Sequence, residues 1–383
     1  MKQRLTPAAF LTVVAVLVLS ACSATSSSKD TGSTGGSTGG TSDEAKTALA
    51  AAYKGATGTV PTEAVAPKAG VNLWVVSCGE QIPSCATPTA AAVEAGKAVG
   101  WTTKVCDGQL NPGGWGNCIR QAVSAKAGVV IPVGIDCAAV QAPMAEAKKA
   151  GVLVVGGGGA DCDVTGGAKT MASERLQLPG VSIEDYWKLN GKLQADWLIG
   201  KTDGKAKVFL VNFADPIWGP WITEGFKAEL ATCKGCSIVS SLDIANNDFV
   251  DHSAAQKFSS GLLKAAGANA VSLAVGGWMP AGFDQAIRSS GKSNLVVSTG
   301  FGDASSMDLI RSAPYTLGTV GYASPWGGYG SVDTAIRLLA GKQPVAEGDG
   351  FQMVDKTHNL PASGDYDPGV DYKAEYKKLW GVS

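Results

Sequence analysis

Beyond residue 70 the chain alternates between two hydrophobic periods. Short runs rich in Val, Ile and Leu occur at residues 71–77, 128–132, 152–156, 207–212, 270–275 and 295–299, with weaker ones at 101–106 and 238–242. Between them lie Ala-rich stretches at 87–99, 137–150, 226–231, 254–266 and 281–290, whose apolar residues recur at helical spacing. Tyr186, Leu189, Leu193 and Trp197 mark one buried helix face. Strands that are apolar on both faces and separated by helices predict parallel sheets covered on both sides. The pattern runs twice, with a break near Leu178-Pro-Gly-Val181, so the expected class is α/β with two such domains. Ligands of open α/β sheets bind outside the carboxyl ends of the strands. Two facing domains therefore put their strand-end loops across one cleft.

The amino end carries a different pattern. Lys2 and Arg4 precede an apolar run from Ala8 to Leu19 that stops at Leu-Ser-Ala-Cys, residues 19–22. A charged start, a short apolar middle and a small-residue stop make an export signal, too short to span a bilayer. The last four residues resemble the bacterial lipoprotein box, which implies removal of residues 1–21 and a lipid on Cys22. Residues 23–43 contain no apolar residue able to build a core and are rich in Gly and Ser. Such a coil has an r.m.s. reach of roughly 25 Å. Residues 22–69 are thus expected to be tether and lead-in, holding a folded body on the outer face of the cytoplasmic membrane. No later segment is long and apolar enough to span.

Charge and cysteine use agree with export. Of 32 basic and 33 acidic side chains the signal removes two basic ones, and the weakly negative remainder argues against nucleic acid. Nine cysteines less Cys22 leave eight, an even number in a compartment where disulfides persist. Their spacing suggests local pairs: Cys78 with Cys85, Cys106 with Cys118, Cys137 with Cys162, and Cys233 with Cys236. Cys233-Lys-Gly-Cys236 also resembles half a zinc site or a redox motif, but it has no second pair and does not open a helix after a strand. A structural disulfide is the expected reading there.

Catalytic patterns are poorly supplied. Residues 286–293, Ala-Ile-Arg-Ser-Ser-Gly-Lys-Ser, match a loose phosphate loop, but they close a helix instead of opening one. Gly156–Gly159 follow a strand without a Lys-Ser/Thr or a GxGxxG frame. The histidines, His252 and His358, are far apart and lack metal-ligand spacing, and no Gly-x-Ser-x-Gly elbow occurs. No catalytic residue, metal or cofactor is expected; a two-carboxylate glycosidase is the enzymatic alternative that the acidic loops leave open.

The order of motifs carries a resemblance. Residues 71–85, VNLWVVSCGEQIPSC, and the stretch from Cys106 to Asp161, with Asp107, Asn111-Pro112 and Ile131-Pro132-Val133, look like the first lobe of ribose-binding-like periplasmic binding proteins, the type I solute receptors of ABC importers. TEGFKAEL, AAGANAVSLAVGG and SSGKSNLVVSTGFGD resemble their second lobe, and the likeness covers roughly residues 70–355. It implies two doubly wound parallel-sheet lobes joined by a three-segment hinge, with crossings near 182–186, 323–326 and 343–348. Lobe 1 would comprise 70–182 plus 325–345 and lobe 2 183–324 plus 346–365, leaving 366–383 as a tail with a short helix. It further implies a non-enzymatic, monomeric receptor that closes on a small solute and delivers it to an ABC permease and its ATPase, touching the membrane through its lipid alone. The alternative keeps binding and drops transport: a ligand sensor or autoinducer receptor for a signalling partner.

Placing the loops selects the candidate ligand-binding residues. Lobe 1 offers Glu80 and Gln81 after the first strand and Asp161 after the fourth; lobe 2 offers Asp215, Trp218, Trp221, Phe249, Trp278 and Asp303; the hinge offers Trp326. Family members that bind pentoses and hexoses usually carry Asp-Arg after the fourth strand, and this chain lacks that arginine. The arginines stand at 4, 120, 175, 288, 311 and 337, outside these loops. Aromatic faces with carboxylate acceptors and no cation predict a neutral or weakly cationic polyhydroxylated solute: a sugar, cyclitol or amino sugar. A more apolar ring compound is the second expectation, since four tryptophans exceed what a small polyol needs.

Overall fold

A computed structural model describes residues 39–292 and 294–383. The expected signal peptide and Cys22 lie outside the described residues. Helix α1 (Gly39–Lys54) leads into β1 (Asn72–Ser77), α2 (Pro83–Ala98), β2 (Thr102–Asp107), α3 (Pro112–Ser124), β3 (Val129–Val133), α4 (Gln141–Lys149) and β4 (Leu153–Val154). These strands form a parallel sheet of order β2-β1-β3-β4. Next come α5 (Ile183–Lys201), β5 (Lys207–Phe213), α6 (Trp218–Leu230), β6 (Ser237–Ile244), α7 (Asn246–Val250), α8 (Ala254–Lys264), β7 (Ala270–Leu273), α9 (Asp284–Ser289), β8 (Val296–Gly302), α10 (Ala304–Ser312) and β9 (Thr316–Tyr322). The chain ends with α11 (Ser324–Leu339), β10 (Phe351–Asp355) and α12 (Tyr372–Trp380). The second sheet has the order β10-β9-β8-β7-β5-β6, parallel except for β10. This is the α/β fold with parallel sheets in two lobes.

Local chemistry accounts for the element starts. Asn111 accepts a hydrogen bond from the Gly114 N–H ahead of α3, with Pro112 at the first helical position. Ser182 caps α5 in the same way, and Glu184 and Asp185 face its positive end. Two elements differ from the periodic reading. Helix α6 begins at Trp218, eight residues before the expected stretch, because Gly219 and Pro220 break the helical pattern of its first turn without breaking the helix. Strand β9 goes unpredicted because Gly318 and Gly321 interrupt its apolar run; Trp197 and Tyr366 pack into the space they leave.

The lead-in is more ordered than a tether. Residues 39–43, expected in the coil, open α1, which packs on α5 and β10. The following segment pairs with β10 through Ala56 and Phe351, and the Gly58 N–H donates to the Gly348 carbonyl at 2.8 Å. It ends against lobe 1, where the Trp101 indole donates to the Lys68 carbonyl at 2.8 Å. At the other terminus α12 docks on α11, with the Trp380 indole donating to Asp333 at 2.8 Å.

The chain leaves the smaller sheet after β4 for α5, leaves the larger sheet after β9 for α11, and returns from α11 to β10, which makes three passages. The first and third passages lie side by side: Glu347 N–H donates to Leu176 O at 2.6 Å and Gly348 N–H to Gln177 O at 2.8 Å. Helix α11 packs on α2 in lobe 1, while β10 adds an antiparallel edge to the larger sheet.

Candidate functional site

The carboxyl ends of the lobe 2 strands carry a wall of aromatic rings. Trp187, at the start of the second turn of α5, stacks on Trp218 at 5.3 Å between centroids, with a 28° interplanar angle. Phe213 at the end of β5 and Phe301 at the end of β8 each meet Trp218 edge-on at 5.3 Å. Tyr322 at the end of β9 extends the wall beside Phe301 at 6.2 Å, and Trp278 meets Phe213 at 5.1 Å. Trp218, Phe301 and Tyr322 are half-buried, whereas Trp187, Phe213 and Trp278 are buried behind or beside them. Offset and edge-to-face packing fixes such rings rigidly. The indole N–H of Trp187 is buried and has no hydrogen-bond partner among the described residues.

Lobe 1 reaches this wall through Asp136, which follows β3. Its carboxylate accepts from the Ala160 N–H at 2.9 Å within lobe 1 and from the Ile217 N–H at 3.0 Å in lobe 2. Ile217 immediately precedes α6, so a negative charge meets the positive end of the helix that presents Trp218. Burial raises the pKa of Asp136, and the two N–H donors oppose that shift.

The sequence-selected residues divide. Trp218 and Trp278 belong to the aromatic group, and half-buried Phe249 packs on Trp278 at 5.6 Å. Trp221 does not join the wall: one turn further along α6, it is buried in the core beside Ile222 and Phe226. Trp326 is likewise a core residue, 1% exposed, stacked on Tyr372 at 5.4 Å and donating to the Glu347 carbonyl at 2.9 Å. The helical periodicity of α11 turns it toward α12.

The carboxylates are more engaged than expected. Asp161 is 1% exposed and accepts from Cys162 N, Thr170 N, Thr170 Oγ1 and Met171 N, so its loop uses the group that was expected to meet a solute. Asp303 caps α10 through the Ser306 N–H at 3.0 Å. Asp215 accepts from the Asn246 N–H. Glu80 and Gln81 remain exposed in the loop after β1, held by a hydrogen bond from Glu80 N–H to Asp107 at 3.1 Å.

The four expected cysteine pairs stand at disulfide distance, with Cα separations of 5.5 Å for Cys78 and Cys85, 5.7 Å for Cys106 and Cys118, 4.8 Å for Cys137 and Cys162, and 5.3 Å for Cys233 and Cys236. Cys137, Cys162 and Asp161 also form a cluster of metal-type ligand atoms, but the two sulfurs face each other and the carboxylate is occupied by its loop.

Sequence reasoning missed Asp136, Trp187, Phe213, Phe301 and Tyr322. Tyr186-Trp187 did offer a signal, since both fall on the buried face of α5 with Ile183, Asn190, Gly191 and Gln194, which puts a second large ring at the start of that helix. Arg175 lies outside the loops that the sequence selects. It is buried at the hinge, with Tyr322 Oη 2.8 Å from its guanidinium and Glu347 and Asp349 beside it. Those two carboxylates neutralise it, so it offers no free positive charge to a solute.

The family model for the periplasmic binding protein domain matches residues 75–343. A sugar ABC transporter protein from Yersinia enterocolitica superposes with a TM-score of 0.65 at 14% identity, covering 84% of this chain and 99% of its own. The 5-methylthioribose transporter solute binding protein from Thermotoga lettingae, in complex with 5-methylthioribose, gives 0.64 at 16% identity, with 81% and 92% covered. An ABC transporter solute binding protein from Agrobacterium vitis, bound with α-D-tagatopyranose, gives 0.63 at 20% identity, with 78% and 97% covered. No curated protein matches the chain in sequence.

Proposed function

Because the chain belongs to the periplasmic binding protein domain family, we propose that it is the extracytoplasmic, lipid-anchored solute receptor of an ABC importer. It captures a small neutral or weakly cationic ring between its lobes and delivers it to the permease and its ATPase. The observation that carries this reading is the aromatic wall of Trp187, Trp218, Phe301 and Tyr322 at the carboxyl ends of the lobe 2 strands, met by Asp136 of lobe 1. Aromatic faces pack on the C–H face of a sugar, cyclitol or amino sugar, while strand-end loops supply polar partners at its rim. The ligands carried by similarly folded proteins, tagatopyranose and 5-methylthioribose, support that class.

A second reading, a more apolar or aromatic ring, is favoured by the same wall. Its rings outnumber what a small polyol covers, and Asp161, Asp215 and Asp303 are already hydrogen-bonded within the protein. Both readings exclude anions, because a phosphate or carboxylate would be desolvated without a cation. Thermal-shift screening of neutral sugars, amino sugars, neutral aromatic rings, sugar phosphates and aromatic acids tests them together. A sugar preference supports the first and a neutral ring preference the second. A clear preference for an anion overturns both.

A further inference from the structure

Helix α11 contains glycines at 327, 328 and 330, each costing about 1 kcal/mol relative to alanine in a helix. The hinge explains two of them. A Cβ at Gly327 would land on the Arg175 guanidinium, and one at Gly330 would land on the Glu347 carboxyl group. The helix is cut away to admit a buried charge cluster.

That cluster joins the passages between lobes. Arg175, from the first, donates through Nε and Nη2 to Glu347 Oε2 at 2.8 and 2.6 Å, and through Nη2 to Asp349 Oδ2 at 2.7 Å; both carboxylates come from the third. Its Nη1 donates to Tyr322 Oη at 2.8 Å, at the entry to the second. The side chains of Arg175, Glu347 and Asp349 are 3%, 2% and 0% exposed. Tyr186 Oη faces Asp349 at 3.4 Å, while the Trp326 indole and Tyr376 Oη donate to the Glu347 backbone carbonyl. Asp333, the other nearby carboxylate, is paired with Arg337. Among the described residues one cation therefore faces two carboxylates with no further positive group, and Glu347 Oε1 and Asp349 Oδ1 have no partner. An unpaired buried charge is strongly disfavoured, and carboxylates sharing a site retain a proton.

We propose that the Arg175, Glu347 and Asp349 cluster is a proton-holding joint: the hinge with its lobes in contact keeps one proton on the two carboxylates and loosens when that proton leaves. The proton comes from and returns to solvent. Burial, opposed by Arg175 and reinforced by Asp349, pushes Glu347 up to about 8, which puts the transition just above neutrality. Ionisation there places a second negative charge beside Asp349, and separating the first and third passages relieves it by admitting water. This joint is independent of which solute the cleft takes.

The test needs no solute. In an Asp196→Asn background, which removes another carboxyl pushed up to about 7, infrared spectra of the full mature chain should show a protonated-carboxyl stretch at pH 7 that disappears with a midpoint near 8. That band should be absent in Glu347→Gln. It should also be absent in Asp349→Asn, where the remaining carboxylate is matched by Arg175 and ionises. Small-angle scattering should show the radius of gyration of the wild type rising between pH 7 and 9.5, with no rise in Glu347→Gln. An Asp196→Asn spectrum without the band at pH 7, or a band that survives both substitutions, overturns the bound proton. A band that titrates with no change in scattering overturns the coupling to the hinge.

Discussion

At the residue scale, neighbouring tryptophans separate into two kinds of energetic role. Trp218 is half-buried at the mouth of the aromatic wall, so Trp218→Ala is expected to weaken solute binding by about 1–3 kcal/mol while leaving the fold intact. Trp326 is fully enclosed against Tyr372, so Trp326→Ala is expected to lower stability by about 3–5 kcal/mol. Urea unfolding and fluorescence titration of both variants distinguish the roles; an affinity change without a stability change in Trp326→Ala would contradict this division. Asp136 acts across the lobes, and Asp136→Ala removes the acceptor of the Ile217 N–H. Stopped-flow binding should show faster solute release with little change in the rate of capture, because the hydrogen bond forms only when the lobes meet.

At the element scale, α1 is fastened by one carboxylate. Asp355 Oδ2 accepts from Tyr53 Oη, from Lys201 at 2.8 Å and from the Trp197 indole at 3.2 Å, and Tyr53 stacks on His358 at 3.7 Å. Burial works against its charge, but Lys201, Tyr53 and Thr357 hold its pKa below the usual carboxylate range. A group depressed on folding contributes stability that is present above its unfolded pKa of about 3.9 and is lost as pH falls through the folded value. Asp355→Ala should therefore cost about 3 kcal/mol at pH 7. The gap to wild type should narrow in strong acid, as measured by urea unfolding at both pH values. An unchanged gap would remove Asp355 as the fastening. The cysteine pairs belong to this scale as well: peptide mapping without reduction should recover the four local pairs, each closing one surface loop. Bridges between the lobes would contradict that layout.

For the whole molecule, the proposed anchoring and capture are separable. Cys22→Ala should release the protein from membranes with solute binding unchanged, which fractionation and titration would check; full membrane retention would refute the lipid anchor. The sequence by itself determined the α/β class, its duplication and which cysteines would stand near one another. Those depend on period, on turn residues and on short loops, which are properties of neighbours along the chain. Strand-end loops were legible for the same reason, and with them Trp218 and Trp278. Only the tertiary structure decided which loop residues join the aromatic wall. Trp221 and Trp326 turn into cores because helix rotation carries them away, and Asp161 turns onto its own loop because buried N–H groups there require an acceptor. The aromatic wall combines α5, β5, α6, β8 and β9, and the Arg175 cluster combines residues more than 170 positions apart. No local pattern encodes such meetings, because burial and partner choice arise only when distant segments exclude water together.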